Sequence, residues 1–199
     1  MTSAVLAFAA TLVTAAFAAT LVTAAFAATP VTAAGVPPEV EFGMPSRDLG
    51  KAEGRCRANE TGPAVLVGVV GLKDRQGLLR AELYPANDAD FLNDDKILVR
   101  QGKTFHRVEM TVPPSGPVEL CVRLPGPGAY TLSLLHDRDG NRKFGLSSDG
   151  IGFPGNPKLG LSKPKAAAAA FVAGPGITTV PVRLNYRQGL FSFRPLKQP

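Results

Sequence analysis

Tryptophan is absent from the 199 residues, histidine and cysteine occur only twice each, and no charged side chain precedes Glu39. Each shortage excludes something. The two cysteines alone cannot make a zinc site, which takes four ligands, and no Cys or His lies at ligand spacing to either. No G-x-S-x-G elbow marks a serine nucleophile, and no metal-type histidine pair exists. The missing Trp argues against a sugar-stacking surface. Basic residues outnumber acidic ones, 22 to 16, yet no run of them exceeds two and no aromatics interleave with them, so a nucleic-acid platform is disfavoured. Only one uncharged apolar run approaches the ~20 residues that span a bilayer, which argues against a multi-pass membrane protein.

That run is repetitive. TLVTAAFAA at 11–19 recurs letter for letter at 20–28, and TPVTAA at 29–34 is a third, eroded copy. A nine-residue period is too short for packed repeat units. Its Ala, Thr, Val and Phe suit the hydrophobic region of a secretory signal over residues 1–34, with small residues near Ala25, Ala27, Val31 and Ala33 for cleavage. The expected mature N-terminus lies between Ala28 and Val36, the location periplasmic or secreted, with membrane attachment only if the signal stays uncleaved. A signal usually begins with Lys or Arg, which this one lacks.

An even pair of cysteines behind such a start predicts a Cys56–Cys121 disulfide. Residues 35–62, rich in Pro, Gly and charge, read as an extended strap leading into a domain over 63–187, with a C-terminal tail at 188–199.

From Ala64 the dominant signal is period two, which puts alternate side chains on opposite faces of a strand. Residues 64–72 are almost continuously apolar, as in a strand covered on both sides. Leu79, Ala81 and Leu83 alternate with Arg80, Glu82 and Tyr84; Val108, Met110 and Val112 with Arg107, Glu109 and Thr111. Val118, Leu120, Val122 and Leu124 share a face opposite Glu119, Cys121 and Arg123; Tyr130, Leu132 and Leu134 oppose Thr131 and Ser133; Val180, Val182, Leu184 and Tyr186 close the series. Breaks such as PPSG at 113–116 and PGPG at 125–128 recur about every ten residues, the rhythm of an all-β antiparallel sandwich. The pentalanine at 166–170 marks either a short helix or an edge strand within 163–173. Residues 136–164 read as one long loop. Cys121, on the polar face of its strand, would draw the strap across that face.

The polar cluster His136-Asp137-Arg138-Asp139-Gly140-Asn141-Arg142-Lys143 carries the chemistry. Asp137, Asp139 and Asn141 reproduce the first three ligand spacings of a calcium loop, and Asp149 could reach back. Arg142 replaces the tight-turn Gly and Ser148 stands in place of the closing Glu, so an Asx-turn without any ion, or other cofactor, competes with Ca²⁺. His136 beside Asp137 could be oriented as a base, but no Ser or Cys is marked as its nucleophile. His106, inside a strand pattern, reads as structural.

Val67 to Leu72, Leu83-Tyr84, Pro127 to Tyr130, HDRDGN at 136–141 and GIGF at 150–153 together resemble a family of exported bacterial domains of unknown function that read H-D-x-N-x-N-G-K-x-D followed by G-Y-G-F. The resemblance covers roughly 64–186 and implies an immunoglobulin-like or transthyretin-like β-sandwich. This chain keeps the His-Asp and Asn spacing of the family loop but lacks its Gly and final Asp.

The expected function is an exported, non-catalytic binding or structural module that presents the 136–164 loop, with His136, Asp137 and Phe153 as candidate ligand residues. The basic surplus favours an anionic envelope component or another envelope protein as partner. The competing expectation is a small hydrolase or metal-dependent enzyme using His136, Asp137 and Asp139.

Overall fold

The computed structural model describes residues 51–52, 54–160, 162–190 and 192–197. The signal reading at 1–34, the cleavage window and the first part of the strap lie outside the described residues. Strands, in chain order, are β1 (Lys51–Ala52), β2 (Ala64–Val70), β3 (Leu78–Pro85), β4 (His106–Thr111), β5 (Glu119–Arg123), β6 (Gly128–Asp137), β7 (Gly150–Gly152), β8 (Ala170–Ala173), β9 (Ile177–Arg183), β10 (Asn185–Arg187) and β11 (Phe193–Arg194). One α-helix, α1 (Asp95–Arg100), and a 3₁₀ turn (Ala166–Ala169) complete the elements of the described residues.

They form an all-β sandwich. An eight-stranded sheet runs β1-β4-β3-β6-β7-β10-β11, with β8 beside the first half of β6; a three-stranded sheet runs β5-β2-β9. Most pairs are antiparallel, but β9 lies parallel to β2 and β1 parallel to β4. The chain changes sheets at Leu184, between β9 in the small sheet and β10 in the large one.

Period two explains the packing. Leu79, Ala81 and Leu83 of β3, Val108 of β4, and Leu132 and Leu134 of β6 are fully buried against Val65 and Val67 of β2, Leu120 and Val122 of β5, and Val182 of β9. A buried Leu or Val side chain contributes roughly 1.5–3 kcal/mol relative to exposure, so these facing stripes hold the two sheets together. The outer side of β2 is less closed than its apolar run suggests, since Leu66 and Gly68 are only half-buried.

One expectation needs correction. Residues 136–164 are not one loop: β6 continues through Asp137 and β7 interrupts the segment. The pentalanine forms the 3₁₀ turn and then enters β8, helix and edge strand in succession. Part of the C-terminal tail is also ordered in the large sheet, because β11 pairs with β10 and buries Phe193.

A second apolar cluster lies on the outer face of the large sheet. Phe91 and Leu98 from the β3–β4 connection pack on Tyr84, Phe105, Phe153, Ala166 and Ala169. Edge-to-face contacts join Tyr84 to Phe91 (5.8 Å) and Phe105 (5.4 Å), and Phe91 to Phe153 (5.7 Å). Asp94 caps α1 through the Lys96 N–H at 2.8 Å, and Lys163 donates to the Phe91 carbonyl at 3.0 Å. The connection is thereby anchored as a third layer, and Phe153 belongs to its core.

Candidate functional site

Alternation places Arg80, Glu82 and Tyr84 of β3, Arg107 and Glu109 of β4, and Ser133, Leu135 and Asp137 of β6 on the outer face. Antiparallel register sets Arg80 opposite Glu109 and Glu82 opposite Arg107, the arrangement in which cross-strand charges attract. Arg80 Nε lies 2.8 Å from Glu109, Arg107 Nε 2.7 Å from Glu82, and Arg107 Nη2 2.9 Å from Asp95 at the start of α1. Arg107 also stacks over Phe105, 5.0 Å from the ring centroid. Tyr84 donates to Glu82 at 2.6 Å. Burial pushes the Tyr84 hydroxyl well above its usual pKa, and the Glu82 charge adds to the effect. Burial works against the Arg107 charge, but Glu82 and Asp95 outweigh it and hold its pKa above the ordinary value.

These charges are buried beneath two insertions, 86–105 and 138–149. Between floor and cover lies a cavity of about 370 Å³, bounded by Arg80, Glu82, Arg107 and Ser133 below and by Leu92, Asp95, Arg142 and Phe144 around the rim. Next to it is an apolar groove of about 220 Å³, which shares Leu92, Phe144 and Ile151 and adds Leu146, Phe153 and Leu159. In the sequence these floor residues look like the solvated half of ordinary strands; the signal that could have found them is the matched spacing of Arg80-x-Glu82 and Arg107-x-Glu109.

The acidic loop forms the rim. Carboxylate oxygens of Asp137, Asp139 and Asp149 converge within 4.8 Å of one another. Asp137 accepts the N–H groups of Asn141 (3.2 Å) and Arg142 (2.6 Å); Asp139 accepts the Asn141 N–H (3.1 Å) and side-chain amide (2.7 Å). Asp149 accepts the N–H groups of Arg138 (3.0 Å) and Gly145 (2.7 Å). All six oxygens therefore receive a donor. Asn141 turns its side-chain oxygen to the Lys143 N–H, not to the three carboxylates. Burial raises the Asp137 pKa, an effect the Arg142 N–H partly offsets. Arg138 is held by Asp74 (2.9 Å) and the Ser148 carbonyl (3.0 Å), and its hydrogen bond holds the Asp74 carboxyl below the usual range.

His136 points the other way, into the end of the sandwich, and is fully buried. Its Nε2 lies 2.8 Å from the Gln76 carbonyl and its Nδ1 2.7 Å from the Tyr186 hydroxyl, while that hydroxyl oxygen accepts the Lys73 N–H at 3.0 Å. A carbonyl only accepts, so Nε2 carries the hydrogen and Tyr186 donates to Nδ1. Gly150 makes room for this relay, because a Cβ there would overlap the Tyr186 ring. Burial pushes Tyr186 up to about 12 and holds His136 below its ordinary pKa, against the opposing pull of the Gln76 carbonyl and Asp74. Thus His136 and Asp137 are neighbours in sequence that serve opposite faces of β6.

Stability should therefore depend on pH. The unfolded state binds a proton near pH 6.5 that folded His136 resists, so its contribution is complete above that value and is lost as pH falls toward the lowered folded pKa. His106, also lowered by burial, acts in the same sense; Asp137 acts oppositely. Asp74 and Asp90, lowered by Arg138 and Lys103 respectively, lose their contributions only at more acid pH. Urea midpoints are expected to fall between pH 7 and 5, and to fall less in His136→Gln; equal slopes in both proteins would refute this role.

The family model described as an uncharacterized protein conserved in bacteria (DUF2141) matches residues 67–180, more than half of the chain. The chain belongs to this family. The DUF2141 match spans the charged floor and both insertions but stops short of Cys56 and Tyr186. No curated protein and no solved structure matches the chain. Cys56 and Cys121 are joined in a disulfide.

Proposed function

We propose that the chain is an exported, non-catalytic binding module of the bacterial envelope, and that the cavity on the outer face of the large sheet is its ligand site. The observation that carries this reading is the row of ion-paired arginines and carboxylates buried under two anchored insertions with a cavity left between them. Its volume falls within the roughly 300–1,000 Å³ of small-molecule sites. Export is supported by the uncharged apolar N-terminus and by a disulfide, which persists in oxidising compartments. A hydrolytic role for His136, Asp137 and Asp139 has less support, since both nitrogens of the imidazole are engaged inside the sandwich.

Native mass spectrometry of protein recovered from the envelope tests the proposal. The expected species starts between Ala28 and Val36 and carries a small molecule that is released on denaturation and missing from Ile151→Trp, which fills the cavity. Full-length chain in the cytoplasm, or an empty mature protein, would overturn it.

In the same reading the acidic loop is a hydrogen-bonded scaffold. Millimolar Ca²⁺ is expected to leave the melting temperature unchanged, because the carboxylate oxygens already receive N–H donors. A rise of several degrees that Asp139→Asn abolishes would make the loop a calcium site.

A further inference from the structure

We propose that the cavity and its adjoining groove take a medium-chain fatty acid, with the carboxylate at Arg142 and Lys143 and the alkyl chain along the groove. This rests on the cavity being the ligand site.

The floor sets two arginines against three carboxylates, Arg80 facing Glu109 and Arg107 facing Glu82 and Asp95, and Arg142 at the rim ion-pairs with Glu109 against the surplus. Asp94, which also lines the cavity, has its carboxylate engaged in capping α1. Two further cations, Arg142 and Lys143, stand at the rim. Arg142 Nε is buried without a hydrogen-bond acceptor, 3.6 Å from Glu109 and beyond hydrogen-bonding reach. The Lys143 ammonium has no partner among the described residues, and its side chain is exposed. An anion placed between these two would complete the one buried side-chain donor left open among the described residues.

Beyond Lys143 the rim turns apolar. Phe144 and Leu146 are 40% and 50% exposed, and both line the groove. Since Phe144, Leu92 and Ile151 border cavity and groove alike, a headgroup at Arg142 leads its chain directly onto Phe153 and Leu159. Charge at one end and apolar surface at the other match an anionic amphiphile.

Backbone conformation points to the same place. Left-handed non-glycine residues are rare, and they gather where function over-determines the chain. Leu92 (φ 56°) and Arg142 (φ 64°) are two of three such residues among those described, and both line the cavity. Arg142 is kept there by the 2.6 Å bond from its N–H to Asp137, which gives the acidic loop a purpose: it presents Arg142, Lys143 and Phe144 over the cavity.

Calorimetric titration of the mature protein with decanoate, below micelle formation, tests the inference beside decanol and decyltrimethylammonium. Decanoate should bind saturably at one per chain, with shifts in the amide resonances of 142–146. Arg142→Gln/Lys143→Gln should weaken it by roughly ten-fold or more, the loss of a charge-assisted contact, with decanol affected little. Leu159→Trp should block decanoate by filling the groove. No saturable decanoate binding, binding of the ammonium amphiphile as tight as that of decanoate, or full affinity in the double variant would each overturn it. If decanoate fails while the envelope-derived adduct persists and Ile151→Trp removes it, the fatty-acid assignment alone falls; loss of both brings down the ligand site as well.

Discussion

Arg107→Met is expected to lower the free energy of unfolding by about 3–5 kcal/mol, the usual cost of removing one partner from a buried ion pair. The Arg107 side chain is 4% exposed, and it bridges Glu82 on the neighbouring strand and Asp95 on α1. Methionine keeps most of the stem that packs on Phe105. What it leaves is two carboxylates, one of them 3% exposed, without the guanidinium between them. Arg80 approaches Glu82 only to 3.9 Å and cannot replace it. The damage should concentrate where the floor meets the insertion, loosening α1 before the sandwich opens. Arg107→Met/Asp95→Leu removes a stranded charge together with its partner, so the double variant should lose less than the sum of the single ones, with a coupling of about 0.5–3 kcal/mol. Urea unfolding of the four proteins measures this. A loss below about 1 kcal/mol for Arg107→Met would mean that the charged floor is solvated like an ordinary surface pair.

That floor also shows where sequence reading stops. Alternation reported correctly that Leu79, Ala81 and Leu83 face the core and that Arg80, Glu82 and Tyr84 do not, because pleating alone decides that question. It could not report that the polar side is covered. The cover depends on α1, six residues long and too short for helical periodicity to register, and on Phe91, Leu98 and Phe105 meeting Phe153 from a distant segment. Partner choice was equally illegible. Val180 and Val182 announce a strand, yet nothing local says that β9 runs parallel to β2 or that Leu184 carries the chain into the other sheet. In the polar loop the spacing of Asp137, Asp139 and Asn141 was visible, while its use in fixing Arg142 required knowing which N–H groups the carboxylates accept. Gly77 is a similar case: with φ at +75° its missing Cβ would overlap the Asp137 carbonyl, a constraint between segments sixty residues apart.

Reduction of the Cys56–Cys121 bond is expected to lower stability by up to roughly 4 kcal/mol, the chain-entropy estimate for a loop of 65 residues, and to leave the sandwich folded. Cys121 is fully buried on the outer side of β5, between exposed Glu119 and half-buried Arg123. β5 is an edge strand, and its outward Cys121 N–H is taken up by the Gly54 carbonyl at 2.9 Å. Arg123 reaches across to Glu60 at 2.7 Å, and that contact holds the Glu60 carboxyl below its usual range. The described part of the strap therefore seals the edge by three means, and only one is covalent. Because the ionic and backbone contacts survive reduction, the loss should fall short of the full entropic figure. Once the strap is loosened, β5 presents unpaired backbone groups, so reduced protein should self-associate at its edge. Denatured, unreduced protein should show no titratable thiol. Reductant should lower the urea midpoint, accelerate exchange of the Cys121 amide and open residues 54–62 to protease, while amides in β3 and β6 stay protected. Two free thiols before reduction would deny the bond; a midpoint and Cys121 exchange rate unchanged by reductant would show that Glu60 and Gly54 hold the strap without it.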